Sequence, residues 1–329
     1  MSSSMSINKL LLPLIFSSRL TLTVSSRPFS KSLPSTMRFV QFKPLNGNGS
    51  NPQRLGVQLE RNGDIINLST VDPSMPNNLV QFLEGGTELI EKAKRMVSQC
   101  KSMIRLSEVE LLPPITRPDK ILCIALNYKD HCDEQNKTYP ETPFFFNKFP
   151  STIVGPFSEV ICPANVTRYM DWEVELAVII GKRTKNVKPH EAMDAVFGYT
   201  IAQDISARDW QKPTRNGGQW LFAKSLDTFC PLGPSVVMKE YLNDPHDVTL
   251  TCRVNGQIKQ NASSSNMLHK IPNIVSYLSE MITLLPGDVI LTGTPAGVGV
   301  FRKPIESLKA GDIVESEISG IGKIQNKIV

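Results

Sequence analysis

The sequence predicts a strand-rich α+β fold with a small α/β domain ahead of it. Three observations carry this. After residue 120, strand-like segments outnumber helical ones and do not alternate regularly with them, which argues against a doubly wound parallel sheet. Asn255-Gly256 in RVNGQIKQ is a strong two-residue hairpin signal. LLPPITRPDK, residues 111 to 120, carries three prolines and reads as a linker between a shorter and a longer folded segment.

Element by element, MRFVQFK from Met37 alternates like a strand and marks the start of folded structure. Short strands follow at GVQLE and DIINL, then helical patterns at NNLVQFLEG and ELIEKAKRMVSQC. These make residues 37–112 a small N-terminal domain and 113–329 the main one. In the main domain, strands are expected near 120–125, 144–148, 173–181, 197–203, 247–261, 287–292 and 311–328. Helices are expected near 128–136, 188–196 and 272–285.

The 329 residues hold 36 basic and 31 acidic side chains, yet the excess is local. Residues 1–36 contain Lys9, Arg19, Arg27 and Lys31 and no acid, so the remainder holds 32 basic residues against 31 acidic ones. A near-neutral body argues against nucleic acid as a partner, since that needs a concentrated basic face. The acid-free, serine-rich leader has the composition of a mitochondrial transit peptide directing import to the matrix. Its apolar run LLLPLIF, residues 10–16, is too short to span a bilayer, so no membrane partner is expected. A secretory signal is the competing reading. Against it, Pro13 breaks the run, no small-residue cleavage site follows soon after, and Arg27-Pro28-Phe29-Ser30 resembles a matrix-protease site. The six cysteines form no CxxC pair, which reads as reduced thiols rather than a zinc or disulfide framework.

The chemistry is concentrated in DWEVELAVIIGK, residues 171–182. Successive strand side chains point to opposite faces, so Glu173 and Glu175 share a face about 6.5–7 Å apart. Paired buried carboxylates repel and need a cation. FGYTIAQD supplies Asp204 at the end of the next strand, and three carboxylates make an all-oxygen site suited to Mg²⁺ or Mn²⁺. The competing reading is a solvated strand edge whose acids pair with lysines.

Only four histidines are present. In NYKDHCDEQN, His131 and Glu134 lie three apart on an expected helix, where the carboxylate can orient the imidazole and raise its basicity. ARDWQ places Arg208 and Gln211 near any ligand held by Asp204, and FAKS adds Lys224. Cations beside a divalent metal point to an anionic substrate. DVILTGTPAGVGVF fits neither a Walker loop nor GxGxxG, but a strand followed by TGTP can bind a carboxylate through Thr294 and backbone amides.

Taken in order, NYKDH, DWEVELAVIIGK, QDISARDWQ, FAKS, PLGP and GDVILTGTPAGVG resemble the fumarylacetoacetate hydrolase family over residues 120–329. The resemblance implies a mixed β-roll, a homodimer formed through this domain, Glu173, Glu175 and Asp204 as metal ligands, and His131 with Glu134 as a catalytic dyad on a segment that orders as a lid. It also implies that Lys224, Arg208, Gln211 and Thr294 line the substrate site. The activity it implies is keto-enol tautomerisation of oxaloacetate, a small 2-oxo dicarboxylate. Hydrolysis of an acylpyruvate, decarboxylation through the same enolate, and a ligand-binding protein without turnover are the alternatives. Three departures stand out: Ala125 replaces the glycine usual before NY, Leu126 stands where acylpyruvate-cleaving relatives often carry arginine, and LCIALNY lacks the further metal carboxylate of fumarylacetoacetase itself.

Overall fold

Every residue from Val174 to Ile180 is buried, so this strand must be covered on both faces, and the rest of the fold is arranged to do so. The structure, a computed structural model, describes residues 36–45, 52–100 and 102–329. The expected leader lies almost entirely outside them.

The described residues begin with β1 (Arg38–Pro44), β2 (Arg54–Gln58) and β3 (Ile65–Asn67), then α1 (Leu68–Val71), α2 (Leu79–Glu84), α3 (Gly86–Gln99) and β4 (Val109–Leu112). Past the proline-rich stretch come β5 (Ile121–Ala125), α4 (Lys129–Glu134), β6 (Phe144–Lys148), β7 (Ile153–Val154), β8 (Met170–Asp171), β9 (Val174–Ile180), α5 (Pro189–Ala192) and β10 (Val196–Gln203). β11 (Ser206–Ala207), α6 (Leu221–Lys224), β12 (Cys230–Met238), β13 (Thr249–Val254), β14 (Gln257–Ser263), α7 (Ile271–Met281), β15 (Val289–Leu291), β16 (Ile313–Ile318) and β17 (Gly322–Lys327) complete the order.

The main sheet runs β3-β2-β1-β12-β10-β9-β15-β5-β6, with β4 paired to β1 and β7 to β12. β15 is parallel to β5 and β7 to β12, while the other pairs are antiparallel, so the sheet is mixed. A second sheet, β14-β13-β16-β17, lies against one face. The period of two divides β9 between two cores. Val174, Leu176, Val178 and Ile180 join Leu250, Cys252 and Ile318 of the second sheet and Ile274 and Leu278 of α7. Ala177 and Ile179 join Phe39, Phe82, Phe197 and the buried faces of α2 and α3.

One central strand escapes the sequence pattern. β12 holds Pro231 and Pro234, residues that remove ladder donors and normally mark strand ends, yet it pairs with both β10 and β1. It tolerates them because its pairing with β10 slips between Tyr199 and Ile201, where the ladder is interrupted. Through β12, strands β1 to β3 continue the same sheet as the strands after the proline-rich stretch. α7 ends at Met281, short of the expected residue 285, because Ile282 turns extended and the Asp288 carboxylate accepts from the Leu285 amide.

A single buried side chain ties three segments around the start of α4. Asn127 donates to the Thr292 carbonyl at 2.7 Å and the His269 carbonyl at 3.1 Å, and its Oδ1 accepts from the His269 amide at 2.8 Å. Truncation strands the buried Thr292 carbonyl and loosens the two part-buried His269 bonds, and a buried group left unmade costs about 1–3 kcal/mol. Asn127→Ala is therefore expected to lower the thermal midpoint by about 5 °C. An unchanged melting curve would mean that these bonds are not what fixes the segment.

Candidate metal and proton-transfer site

The acid site follows from strand parity and register. Glu175 has the parity of Ala177 and Ile179, so it faces away from the second sheet, and Glu173 follows it. β10 pairs with β9 so that Ala202 stands opposite Glu175 and Gln203 opposite Val174. The residue after β10, Asp204, donates its amide to the Glu173 carbonyl at 2.9 Å. Glu173, Glu175 and Asp204 thus converge, all buried, with ligand atoms within 4.8 Å of one another. The solvated strand edge is excluded, since none of the three is more than 5% exposed.

Buried acids in this number require partners. Lys224 Nζ, 1% exposed, donates to Glu173 Oε2 and Asp204 Oδ2, each at 2.6 Å. Lys148 Nζ donates to Asp204 Oδ1 at 2.7 Å and to the Ile205 carbonyl at 3.2 Å. Arg208 pairs through Nε with Asp171 Oδ2 at 2.8 Å and through Nη2 with Glu173 Oε1 at 2.7 Å. Among the described residues no cation is paired directly with Glu175, whose Oε2 accepts the Gly293 amide at 2.6 Å.

The protonation equilibria follow from those neighbours. Burial, then the Asp204 and Glu173 charges, push Glu175 well above the ordinary carboxylate range. Burial also acts to raise Glu173, but Arg208 and Lys224 outweigh it and hold the group at about 2. Burial would lower Lys224, and the charges of Asp204 and Glu173 override it and raise the group. Glu175 is therefore the acid of the cluster without a direct ion pair among the described residues, the Lys224 charge notwithstanding, and a divalent cation is the group that would supply one. The all-carboxylate, buried donor set fits a hard metal ion.

His131 and Glu134 are brought together as well. α4 sets His131 and Glu134 on one face, with Nδ1 at 2.6 Å from Glu134 Oε1. Glu134 Oε2 accepts the Gly297 amide at 2.9 Å, which fixes the carboxylate that orients the ring. His131, Glu173, Glu175 and Lys224 line one small cavity of about 40 Å³, closed on its apolar side by Phe146 and Trp220 with ring centroids 5.4 Å apart.

The glycine-rich turn after β15 serves protein carboxylates. The amide of Gly293 reaches Glu175, that of Gly297 reaches Glu134, and those of Gly299 and Val300 reach Asp171 at 2.7 and 3.0 Å. Gly293 and Gly297 sit at φ of +101° and +106°, and a Cβ on Gly297 would lie 2.1 Å from the Lys259 carbonyl oxygen. Only glycine permits that approach.

Thr294 also borders the cavity, but its hydroxyl donates to the Val174 carbonyl at 2.9 Å and accepts from Gln260 Nε2 at 2.8 Å. Arg208 stands behind Glu173, and Gln211 behind Arg208, accepting from its Nη1 at 3.2 Å. Two residues of this site escaped sequence reasoning. Asp171 has the parity of Glu173 and Glu175 in DWEVE, a third alternate acid visible in the pattern. Lys148 ends the aromatic strand FFFNK, where a lysine fully buried in an apolar run signals an acid partner.

With this geometry in place, comparison with known proteins identifies the class. The pattern for the fumarylacetoacetate (FAA) hydrolase C-terminal region matches residues 120–329, and the chain belongs to that family. It is 47% identical over 308 residues to the mitochondrial oxaloacetate tautomerase fahd2 of Xenopus laevis, covering 94% of this chain and 95% of that protein. Among solved structures, a fumarylacetoacetate hydrolase from psychrophilic Exiguobacterium antarcticum is 36% identical with a TM-score of 0.75, covering 89% of this chain and 99% of that one. A maleylpyruvate hydrolase from Sphingobium sp. SYK-6, in complex with manganese(II) and pyruvate, is 29% identical with a TM-score of 0.72 over 89% and 99% of the two chains.

Metal titration checks the triad. Mg²⁺ or Mn²⁺ is expected to raise the melting temperature of the wild-type protein, and Glu175→Gln, which removes the uncompensated charge, should abolish most of that rise. A variant that responds to metal like the wild type would take Glu175 out of the ligand set.

Proposed function

We propose that the protein is a metal-dependent keto-enol tautomerase that converts enol-oxaloacetate to its keto form. The observation that carries this reading is the shared cavity: a buried histidine oriented by a carboxylate opens on the same small space as Glu173 and Glu175, two members of the buried carboxylate triad. The identity to an oxaloacetate tautomerase supports the choice of substrate.

A bound Mg²⁺ or Mn²⁺ would act as a Lewis acid on the 2-oxo group of the substrate. The chain's own residues perform the proton transfer. Glu134 occupies Nδ1 of His131, so the ring exchanges its proton at Nε2, the position able to give a proton to C3 while the enol hydroxyl proton returns to it, directly or through water, with the reverse transfer in the other direction. Lys224 at the cavity is assigned to a substrate carboxylate, a role its ammonium can take without leaving Asp204. Arg208, with Gln211 at its Nη1, is assigned to the other carboxylate, and to meet it the guanidinium must share or release Glu173. Thr294 completes the assigned contacts at the rim. Phe146 and Trp220 exclude water from the reacting carbon.

Acylpyruvate hydrolysis on the same site is the second reading, and the maleylpyruvate hydrolase likeness favours keeping it in view. Hydrolysis asks for a positioned water and a donor to the oxygen where charge develops. Leu126 lines the cavity wall and offers no such donor. Purified protein with Mg²⁺ is therefore expected to speed ketonisation of enol-oxaloacetate, followed by ultraviolet absorbance, far more than it hydrolyses acetylpyruvate. His131→Ala should reduce the first activity by about 10²–10⁴. Equal or faster acetylpyruvate cleavage would overturn the tautomerase reading in favour of the hydrolase.

We also infer that residues 1–36 are a cleaved matrix-targeting leader, a reading supported by their composition and by the mitochondrial label of the frog relative. Residues 37–112 are read as a small N-terminal module, and the main domain as the site of homodimer formation, in keeping with the family resemblance. A chain starting at Met37 is expected to remain in the cytosol when its location is imaged beside the full-length protein, and matrix location of the truncated chain would refute the leader.

A further inference from the structure

The turn Arg208–Trp210 points its charged groups two ways. Arg208 reaches inward to Asp171 and Glu173. Asp209 lies on the other side, accepting from the Thr167 hydroxyl and standing 3.7 Å from Arg215 Nη1. There it borders a concave surface of about 650 Å³ formed by residues 164–169 and 209–215, none of which lines the acid cavity.

The charges in this groove do not cancel. Arg168, Lys212 and Arg215 line it against the single carboxylate of Asp209, which leaves two positive charges in excess. Among the described residues, Arg168 and Lys212 have no carboxylate partner. Lys212 Nζ lies 5.9 Å from the Tyr169 ring centroid, and the Arg215 guanidinium lies 4.8 Å from that of Trp210. Aromatic faces therefore hold two of the cations, and apart from the Arg215 ion pair with Asp209 their donors face the groove without a carboxylate partner among the described residues. Asn165 and Thr214 add an amide and a hydroxyl that bond to nothing else among the described residues.

A lone exposed lysine needs no explanation, but like charges gathered in a concavity do. They repel one another, and a recess with low-dielectric walls concentrates their field and draws in a counter-ion. Guanidinium groups match carboxylate and phosphate oxygens in paired geometry. The near-neutral balance of residues 37–329 makes a nucleic-acid footprint the wrong partner, whereas the groove has room for a small ion with several anionic oxygens. We infer that this groove is a binding site for a small multivalent oxyanion, a polycarboxylate or phosphate, separate from the carboxylate cluster. The inference does not depend on which reaction the acid cavity performs.

The test uses the full-length protein, titrated at constant ionic strength with tricarballylate in one arm and inorganic phosphate in the other, by calorimetry and by tryptophan emission. Trp210 lies under Arg215, so its emission should change as the guanidinium engages the anion. Saturable binding at one site per chain is expected for at least one anion, and the arm that saturates identifies the source. Arg168→Gln combined with Lys212→Gln should weaken that binding about tenfold, while Glu175→Gln leaves it in place. Both substituted side chains are exposed, so folding is not at stake. Saturation by neither anion, equal affinity in the double variant, or loss of binding in Glu175→Gln would each overturn the site.

Discussion

Everything around the active cavity answers one constraint: buried carboxylates gathered in one place must each receive donors or cations. Asp171, Glu173, Glu175 and Asp204 are all within 5% of full burial. The eight or so residues after β15 answer the constraint with backbone amides, a donor that costs no side-chain entropy and brings no charge of its own. That explains the composition TGTPAGVGV. Its glycines turn successive amides toward Glu175, Glu134 and Asp171, an arrangement that needs left-handed backbone at two positions and an approach to Lys259 that a Cβ forbids. Without this turn the acids could be ionised, but not held apart and aimed.

The cations complete the arrangement without neutralising it. Lys148, Lys224 and Arg208 supply three positive charges to four acids, and their contacts fall on Asp204, Glu173 and Asp171. Glu175 is left to an amide. Had a lysine faced it too, the cluster would be a saturated ion network with structural value and little affinity for metal. The missing charge is thus informative: among the described residues the cluster is one cation short, and the acid without a direct ion pair, Glu175, is one of those lining the cavity.

Much of this was legible in the sequence because it depends on periodicity. Alternation in DWEVELAV places Glu173 and Glu175 on one face, and an i,i+3 spacing places His131 against Glu134. The helix ends and β12 were harder. Prolines at 231 and 234 hide a strand that survives because its register slips, and register is a property of two strands, which no single-strand pattern reveals. The same is true of Lys148: its burial depends on its partner Asp204, which is 56 residues away. The role of the TGTP turn was legible in kind and not in object. Backbone amides for a carboxylate were expected, and the carboxylates turned out to belong to the protein.

The coupling through that turn also bears on how one scaffold can host both tautomerisation and carbon–carbon cleavage. Gly297 fixes Glu134, and so the histidine, while four residues earlier Gly293 fixes Glu175. His131, through Glu134, and Glu175 are therefore tied to one short backbone segment. What remains free to vary is the wall itself: Leu126, Phe146 and Trp220. Moving a proton at carbon asks nothing more of that wall than to exclude water. Cleaving a bond asks it for a held water and a donor to the oxygen on which charge grows. The apolar side chains of Leu126, Phe146 and Trp220 suit the simpler reaction, and the donors the same wall does carry, on Lys224 and Gln135, are already bonded to Glu173, Asp204 and the His131 carbonyl.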